Sequence, residues 1–262
     1  MDETFQTYLN RVARLTLPAT HQSQLQHIQQ SPKFQPLSDG SIEAVSFPGY
    51  TVTTPPWGEE SENSAFYKNL QEIQTQLSKK LDPGLFIPVP PDSFHLTLAD
   101  LIWDSTYRAA ELENPDFEEQ LKERITTSFQ LYQQSLSSGS MLCFQLLGLT
   151  IRPRAIAVCL APKDEDTYNR LLQLRRAIYQ NSALIALGIE QQYHFTAHVT
   201  LGYFGEIPPD LDRDRLMTTV SDISQGALTE EGIPLCTQRV ELRKFDDMMR
   251  YYRQPDWPIL EF

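Results

Sequence analysis

Apolar residues recur along this chain with two periods, one typical of helices and one typical of strands. Apolar positions three and four apart predict amphipathic helices at about 64–81, 115–136, 164–180 and 210–224. Between them lie short runs rich in aliphatic and β-branched residues, which predict strands at about 50–54, 142–149, 155–161 and 235–245. The chain is therefore predicted to mix helices and strands throughout its length.

Two further strand-like runs carry the same pattern of residue types. One spans 94–98 with the sequence Phe-His-Leu-Thr-Leu, and the other spans 197–201 with Ala-His-Val-Thr-Leu. Because side chains alternate between the faces of a strand, His95 shares a face with Thr97, and His198 shares a face with Thr200. Each run therefore predicts a strand that buries an aliphatic face and presents an imidazole and a hydroxyl to a cleft.

The elements around these two runs follow one another in the same order. When the two histidines are aligned, each half of the chain reads strand, helix, His-x-Thr strand, helix, strand. The halves share few residues outside this motif, so the repeat is one of element order. It predicts two similar lobes whose motif strands face each other. The alternative is that both motif strands are core strands whose histidines only satisfy hydrogen bonds.

With these two motifs on a repeated order of elements, residues 42–262 resemble the 2H phosphoesterase superfamily. That superfamily includes RNA 2′,3′-cyclic phosphodiesterases and bacterial 2′-5′ RNA ligase-like proteins, and the chain is most similar to a bacterial branch. The resemblance implies an α+β fold: two pseudo-symmetric lobes of mostly antiparallel sheet, with outer helices, around a central cleft. Residues 1–41 have no counterpart in it and are predicted to form an N-terminal helical extension.

The motif residues suit the hydrolysis of a cyclic phosphodiester, which needs a base to activate water and an acid to protonate the leaving oxygen. Imidazole can serve in either role because its ordinary pKa is about 6.5. Threonine hydroxyls can stabilise the charge that develops on the phosphate oxygens. The resemblance implies His198 as base, His95 as acid, Thr97 and Thr200 as phosphate-binding residues, and no metal or cofactor. The residues alone leave the acid and base roles open.

The leading hypothesis from the sequence is a metal-independent phosphodiesterase that acts on a 2′,3′-cyclic phosphate or a related cyclic or 2′-5′ nucleotide bond. One alternative is a non-catalytic nucleotide-binding module that uses the same cleft. Another is a scaffold whose N-terminal arm carries the function. An assay with nucleotide substrates would distinguish the three. Turnover would support the phosphodiesterase, tight binding without turnover the binding module, and neither result the scaffold.

Composition narrows the range of partners. The 262 residues are 40% hydrophobic and carry a formal net charge of −12. Long nucleic acid is bound through basic patches, so the expected ligand is a small nucleotide or a short oligonucleotide. No apolar run reaches the length of a membrane helix, and the N-terminus lacks a signal-peptide pattern. We therefore expect a cytoplasmic protein without a membrane partner, and the sequence leaves its oligomeric state open.

The first 41 residues predict two helices, at about 2–16 and 20–30, before a proline-rich stretch at 31–60. The second helix has a polar, glutamine-rich surface, so His21 and His27 are predicted to be solvated. This arm either packs on a lobe or serves to bind a partner.

Several residues near the motifs are candidates for further roles. Trp57 either stacks on a base at the cleft mouth or plugs the core beneath a loop. Arg152 and Arg154 flank a proline before a predicted strand and are candidates for positive charge in the cleft. Strict alternation from Thr200 places Tyr203 on the opposite face, where it would pack in the core.

The histidines and cysteines that could ligate a metal ion do not have the spacing of a metal site. His194 and His198 are four residues apart, which would suit zinc on a helix, but their neighbours favour a strand. Cys143, Cys159 and Cys236 match neither a metal nor a disulfide framework, and they are predicted to be small core residues.

Overall fold

Two antiparallel sheets, each of five strands within the described residues, form the framework of the fold. The computed structural model describes residues 3–135, 141–228 and 232–262. The strands are β1 (Phe34–Pro36), β2 (Ile42–Ala44), β3 (Gly49–Thr53), β4 (Phe86–Pro88), β5 (Thr97–Trp103), β6 (Leu142–Arg152), β7 (Ala155–Pro162), β8 (His198–Phe204), β9 (Leu235–Thr237), β10 (Arg239–Phe245), β11 (Tyr251–Tyr252) and β12 (Ile259–Glu261). The helices are α1 (Phe5–Arg14), α2 (Pro18–Leu25), α3 (Ser64–Lys80), α4 (Asp104–Glu113), α5 (Phe117–Ser135), α6 (Glu165–Tyr179), α7 (Ser182–Ile185) and α8 (Arg213–Ala227).

Each sheet contains one of the two motif strands. The first sheet has the order β11-β10-β3-β5, with β12 also paired to β10, and the second has the order β4-β8-β7-β6-β9. Every pairing in both sheets is antiparallel. The predicted α+β fold of two antiparallel lobes is therefore confirmed.

The two lobes exchange strands, which the element order did not predict. β4 precedes the first motif but pairs with β8, so Pro88 lies opposite Gly202. β10 comes from the second half of the chain but pairs with β3, so Leu242 lies opposite Val52. The predicted single strand 235–245 is wrong, because the backbone bends at Gln238 and the two halves join different sheets. Each lobe is thus completed by the other half of the sequence.

The helices bury the apolar faces that their spacing predicts. Buried side chains repeat at helical spacing on α3, α5, α6 and α8, and they pack in one core cluster with the sheets. Residue 136, the predicted end of the second of these helices, lies outside the described residues. In the described part of the chain, no helix combines the length and apolar character required to cross a bilayer. The buried positions include Phe66, Leu70, Ile73, Leu77, Leu121, Ile125, Leu171, Ile178, Leu216 and Val220.

Two helices, α4 and the short α7, have no counterpart among the predicted elements. Helix α4 begins at Asp104, directly after β5, without an intervening loop. Asp104 adopts a φ of 48°, a left-handed conformation that aspartate tolerates better than most residues. Its N–H donates a 2.6 Å hydrogen bond to the Pro48 carbonyl, which fixes the sharp change of direction.

The N-terminal arm packs directly behind the second motif strand. Arg11 on α1 donates hydrogen bonds to the Thr196 hydroxyl (2.9 Å) and to the Phe195 carbonyl (2.6 Å). The predicted solvation of His21 is wrong: it is 1% exposed, and its Nε2 lies 3.0 Å from the Leu149 carbonyl. Burial between α2 and the second sheet also lowers the pKa of His21. His27 is exposed as predicted.

The prediction for two of the three cysteines is also wrong. Cys143 and Cys236 lie opposite each other on β6 and β9 and form a disulfide that joins positions 93 residues apart. Their pairing follows from strand register, which residue spacing does not reveal. Cys159 is free and fully buried on β7, as predicted for a small core residue.

Candidate active site

A cavity of about 540 Å³ lies between the two motif strands and contains all four motif side chains. His95 and Thr97 line one wall, and His198 and Thr200 line the other. Its size falls within the usual range for small-molecule sites, roughly 300–1,000 Å³. The motif residues are therefore brought together around one partly open cavity. The other lining residues used below are Lys33, Phe47, Asp100, Trp103, Arg152, Arg154, Tyr193, Tyr203, Met248 and Tyr251.

The two histidines are held in the same way. His95 Nδ1 lies 2.7 Å from the Ser93 carbonyl oxygen, and His198 Nδ1 lies 2.7 Å from the Thr196 carbonyl oxygen. A carbonyl only accepts hydrogen bonds, so each Nδ1 carries its hydrogen and donates. Each Nε2 is then the nitrogen left to gain or lose a proton. This shared arrangement fixes the tautomer of both rings.

The two threonine hydroxyls are available to a ligand. Thr97 and Thr200 are half-buried at the cavity wall. Within the ranges that the structure describes, no protein group hydrogen-bonds to either hydroxyl, and this distinguishes them from Thr51, which donates to the Ala99 carbonyl (3.0 Å). A bound anion would therefore find both donors unoccupied.

Irregular strand pairing brings two more side chains to the cavity, one from each motif strand. On β8, Thr200 lies opposite Ala157 but Gly202 lies opposite Ile156, so β8 carries one extra residue there. Such a bulge changes which face the following residues occupy. Tyr203 consequently lines the cavity, so its predicted position on the opposite face from Thr200 is wrong, although it also packs against the core as predicted.

The same offset appears on β5. Thr53 lies opposite Thr97 but Val52 lies opposite Ala99, and the extra residue brings Asp100 to the cavity. Asp100 and Tyr203 both lie three residues after a motif threonine, and sequence reasoning missed Asp100. No local pattern identifies this position, because Leu-Ala-Asp after Thr97 shares only its leucine with Leu-Gly-Tyr after Thr200.

A glycine permits the close approach of β4 to β8. A Cβ atom at Gly202 would lie 2.5 Å from the Ile87 carbonyl oxygen and 2.5 Å from the Phe86 ring. Both contacts are far shorter than van der Waals contact, so β4 can approach β8 this closely only at glycine.

Burial and nearby cations keep both histidines neutral. Desolvation, with a smaller contribution from the Arg243 guanidinium, lowers the pKa of His95 to about 4. Desolvation, together with Arg152 and with His95 itself, lowers the pKa of His198 to about 3. At pH 7 both imidazoles are neutral in the free protein.

A buried ion-pair network supports the His95 ring. The Tyr251 ring lies 4.1 Å from the His95 ring between centroids. The Tyr251 carbonyl accepts a 3.0 Å hydrogen bond from Arg243 Nη1. The fully buried Arg243 also donates to Glu241 (2.8 Å) and to Glu59 (2.9 Å).

The polar lining of the cavity carries both signs of charge. The predicted placement of Arg152 and Arg154 at the cleft is confirmed, and Lys33 of the N-terminal segment joins them. Asp100 is the acidic residue among the described lining residues, and it accepts a hydrogen bond from the Tyr193 hydroxyl.

Two other candidates lie away from the cavity. Trp57 stacks against Tyr67 and Phe94, with ring centroids 5.8 and 6.5 Å away, so it plugs the core beneath its loop. His194 is exposed and does not line the cavity. In the ranges 3–135, 141–228 and 232–262, no three His, Cys, Asp or Glu side chains are grouped as a metal site would require.

Solved structures similar to this chain exist, whereas no protein-family model and no curated protein matches it. A conserved protein of unknown function from Agrobacterium tumefaciens str. C58 aligns over 81% of this chain and 86% of its own, with a TM-score of 0.56 and 13% identity. Escherichia coli LigT complexed with 3′-AMP aligns over 79% of this chain and 93% of its own, with a TM-score of 0.39 and 17% identity. The first comparison shows a shared fold, and at these identities the likeness concerns the fold alone.

Proposed function

We propose that this protein is a metal-independent phosphodiesterase that hydrolyses a 2′,3′-cyclic phosphate or a related cyclic or 2′-5′ nucleotide bond. The observation that carries the proposal is the matched pair of motifs around one cavity: His95 and Thr97 on one wall, His198 and Thr200 on the other. Both histidines are anchored through Nδ1 to a carbonyl, which leaves both Nε2 atoms for proton transfer.

The reaction is a displacement at phosphorus. His198 Nε2 takes a proton from water as the water oxygen bonds to phosphorus, and His95 Nε2 gives a proton to the ribose oxygen whose bond to phosphorus breaks. Thr97 and Thr200 donate hydrogen bonds to the non-bridging oxygens, where negative charge increases. The proton gained by one histidine balances the proton lost by the other, and exchange with solvent restores the starting state.

Substrate binding must supply the protonated histidine. Both imidazoles are neutral in the free protein, because desolvation lowers the pKa of each. The negative charge of a bound phosphodiester favours imidazolium and raises the pKa again. The Arg152 guanidinium acts to lower the pKa of His198, which favours a neutral imidazole there. We therefore assign His95 as the acid and His198 as the base.

The low pKa of both histidines also favours the alternative, a nucleotide-binding module without turnover. If bound phosphate does not restore a proton to one ring, no general acid is present near neutral pH. The test is incubation of the pure protein in EDTA with 2′,3′-cyclic nucleotides, cyclic dinucleotides and 2′-5′ dinucleotides. Turnover supports the phosphodiesterase, and tight binding without turnover supports the binding module. Activity that EDTA abolishes and added metal restores would contradict a metal-independent reaction.

The pH dependence of turnover should differ between the free and the substrate-bound protein. kcat/KM reports the free protein, so we expect its bell-shaped maximum in acid, between the pKa values of about 3 and about 4. Above this range kcat/KM should fall about tenfold per pH unit, because the imidazolium is lost as pH rises. The alkaline limb of kcat should lie at higher pH, since bound phosphate raises the pKa of the acid. Steady-state rates from about pH 3 to 9 check this, and coincident alkaline limbs of kcat and kcat/KM would contradict it.

Removing either cavity hydroxyl should weaken phosphate binding. Thr97→Val and Thr200→Val each remove one donor while nearly keeping the side-chain shape. A hydrogen bond to a charged group contributes about 1.5–3 kcal/mol, so we expect affinity for a nucleoside 3′-monophosphate to fall about 10- to 100-fold. Titration calorimetry measures the change. Thr126→Val, at an exposed position on α5, is the matched control, and equal affinities in all three variants would exclude the hydroxyls from the site.

A further inference from the structure

Lys33 brings an ammonium group from the N-terminal segment into the cavity. Backbone hydrogen bonds tie this segment to the second lobe: Gln29 donates to the Pro153 carbonyl (2.7 Å), and Ser31 donates to the Phe204 carbonyl at the end of β8 (2.8 Å). The position of Lys33 is therefore fixed by the sheet that carries His198.

The surroundings of the Lys33 ammonium group are apolar or aromatic. Its Nζ lies 3.1 Å from the Met248 sulfur, 4.2 Å from the centre of the Phe47 ring and 5.4 Å from the centre of the Tyr203 ring. These groups are poor substitutes for water, and burial lowers the pKa of Lys33 to about 8. An ammonium placed here is destabilising unless an anion joins it.

The cavity contains two further cations without a carboxylate partner. Among the described residues, Lys33, Arg152 and Arg154 make no ion pair within 4 Å, and Arg154 contacts only the neutral Gln29 amide oxygen (3.3 Å). Lys33, Arg152 and Arg154 line the same cavity, and both arginines contribute to the lowered pKa of Lys33. Asp100 shares the cavity, accepts a hydrogen bond from Tyr193 and offsets part of this positive charge, since it acts to raise the pKa of Lys33.

This cluster is unusual for this chain. The protein has a formal net charge of −12, so carboxylates are abundant, and the buried Arg243 on β10 contacts two of them. Three cations against the single carboxylate of Asp100 among the described lining residues leave this cavity with net positive charge, which indicates a site for negative charge that the protein itself does not supply.

Lys33 lies along the cavity from the motif threonines. Its ammonium group faces Tyr203, which follows Thr200 by three residues on β8. Three residues of strand span at most roughly 10 Å at the usual rise of about 3.3 Å per residue. Lys33 therefore lines the cavity beside Tyr203, on the part of β8 that follows Thr200, where another phosphate group of the same ligand would meet its ammonium group.

We propose that Lys33, Arg152 and Arg154 form a second anion subsite, which accepts a phosphate group other than the one under attack. The inference rests on the proposed function and makes it more specific: the substrate is a phosphodiester that carries a second phosphate. Two sources supply that chemistry, a 5′-phosphate on a mononucleotide and the next backbone phosphate of an oligonucleotide.

The test compares affinities for product-type ligands, so it does not depend on turnover. Titration calorimetry should use uridine 3′-phosphate, uridine 3′,5′-bisphosphate and a uridine dinucleotide with a 3′-phosphate. We expect the wild-type protein to bind at least one of the two ligands with a second phosphate about 10- to 100-fold more tightly than uridine 3′-phosphate. The ligand that gains affinity identifies the source of the second phosphate.

Lys33→Met should bring this affinity ratio close to one. Methionine keeps the apolar stem against Phe47 and Tyr203 but removes the charge. The control is Lys163→Met, which removes the same charge at an exposed position outside the cavity and should keep the wild-type ratio. Burial lowers the pKa of Lys33 to about 8, so at pH 7 the folded protein holds a buried ammonium group that lowers its stability. Lys33→Met removes this charge and should therefore keep or raise the Tm at pH 7.

The outcomes separate this inference from the proposed function. Equal wild-type affinity for all three ligands overturns the second subsite, whether or not cyclic nucleotides are turned over. A wild-type preference that Lys33→Met retains overturns the role of Lys33. Tighter binding of a second-phosphate ligand, lost in Lys33→Met but without turnover of any cyclic substrate, supports the subsite and overturns the phosphodiesterase. Failure to bind any of the ligands overturns both.

Discussion

Replacing either His95 or His198 with alanine should lower kcat for a 2′,3′-cyclic nucleotide by about 10²- to 10⁴-fold, the usual contribution of a general acid or base. Each imidazole supplies an Nε2 for proton transfer, and its Nδ1 is occupied by a carbonyl. The two substitutions together should lower kcat by less than the product of the single effects, because a lone acid or base retains little of the concerted reaction. Steady-state kinetics on the three variants measures these effects.

Two other histidines provide matched controls. His27→Ala, at an exposed position on the N-terminal arm, should behave as wild type in both stability and turnover. His21→Ala should lower the free energy of unfolding by about 1–3 kcal/mol, because it removes a buried hydrogen bond to the Leu149 carbonyl, and it should leave turnover unchanged. If His95→Ala or His198→Ala resembled His21→Ala in losing stability but not turnover, the motif histidines would be structural.

The four long amphipathic helices and the neighbourhood of the two motif strands could be predicted because local sequence determines them. The predicted strand start at Phe94 is wrong, because β5 begins at Thr97 and His95 lies just before it. On α3, apolar side chains at Phe66, Leu70, Ile73 and Leu77 recur every three or four residues, and all four are buried. The end of a helix is encoded just as locally: Asp164 caps α6 by accepting a 2.8 Å hydrogen bond from the Thr167 N–H.

Strand pairing could not be predicted, because it depends on residues far apart in the chain. The sequence near Gln238 contains no signal that the strands on either side of it join different sheets. The Cys143–Cys236 disulfide likewise follows from the register of β6 and β9. Periodicity describes which face of an element is apolar, but it contains no information about which other element covers that face.

The cavity shows the same division between local and non-local information. His95 and His198 could be found from a repeated motif, since two copies of one local pattern are visible in the sequence. The positions of Asp100 and Tyr203 could not be predicted without knowledge of the bulges, and strict alternation assigns Tyr203 to the wrong face. The place of Lys33 in the cavity could not be predicted without the folded position of the arm. About 165 residues separate Lys33 from His198 in the sequence, yet both line one cavity.

Replacing Arg243 with methionine should have the largest effect on stability, a loss of about 3–5 kcal/mol in the free energy of unfolding. Arg243 is 0% exposed, and Glu241, with which it pairs, is 1% exposed. Without the guanidinium, the Glu241 carboxylate loses its buried partner and the Tyr251 carbonyl loses its 3.0 Å hydrogen bond. Urea unfolding of the wild-type and variant proteins measures the difference.

Arg239 offers a close comparison, because it pairs with the same carboxylate from the surface. Its Nε lies 3.0 Å from Glu241 Oε1, but the Arg239 side chain is 41% exposed. An exposed pair contributes about 0.2–1 kcal/mol, so Arg239→Met should change stability far less than Arg243→Met. The double variant Glu241→Gln/Arg243→Met should recover part of the loss, since it leaves no buried charge without a partner. Equal losses in Arg239→Met and Arg243→Met would contradict a buried network beneath the site.

Arg243→Met also tests whether the Arg243–Glu241–Glu59 ion-pair network positions the His95 ring. Arg243 holds the Tyr251 backbone, and the Tyr251 ring rests against His95. Arg243 also lowers the pKa of His95 through its charge, so removing it should raise that pKa and move the alkaline limb of kcat/KM to higher pH. A purely structural residue would lower stability without moving the pH profile. The pH profile is measured on folded Arg243→Met protein, below its unfolding temperature. An unshifted alkaline limb of kcat/KM would show that Arg243 stabilises the sheet without influencing proton transfer by His95.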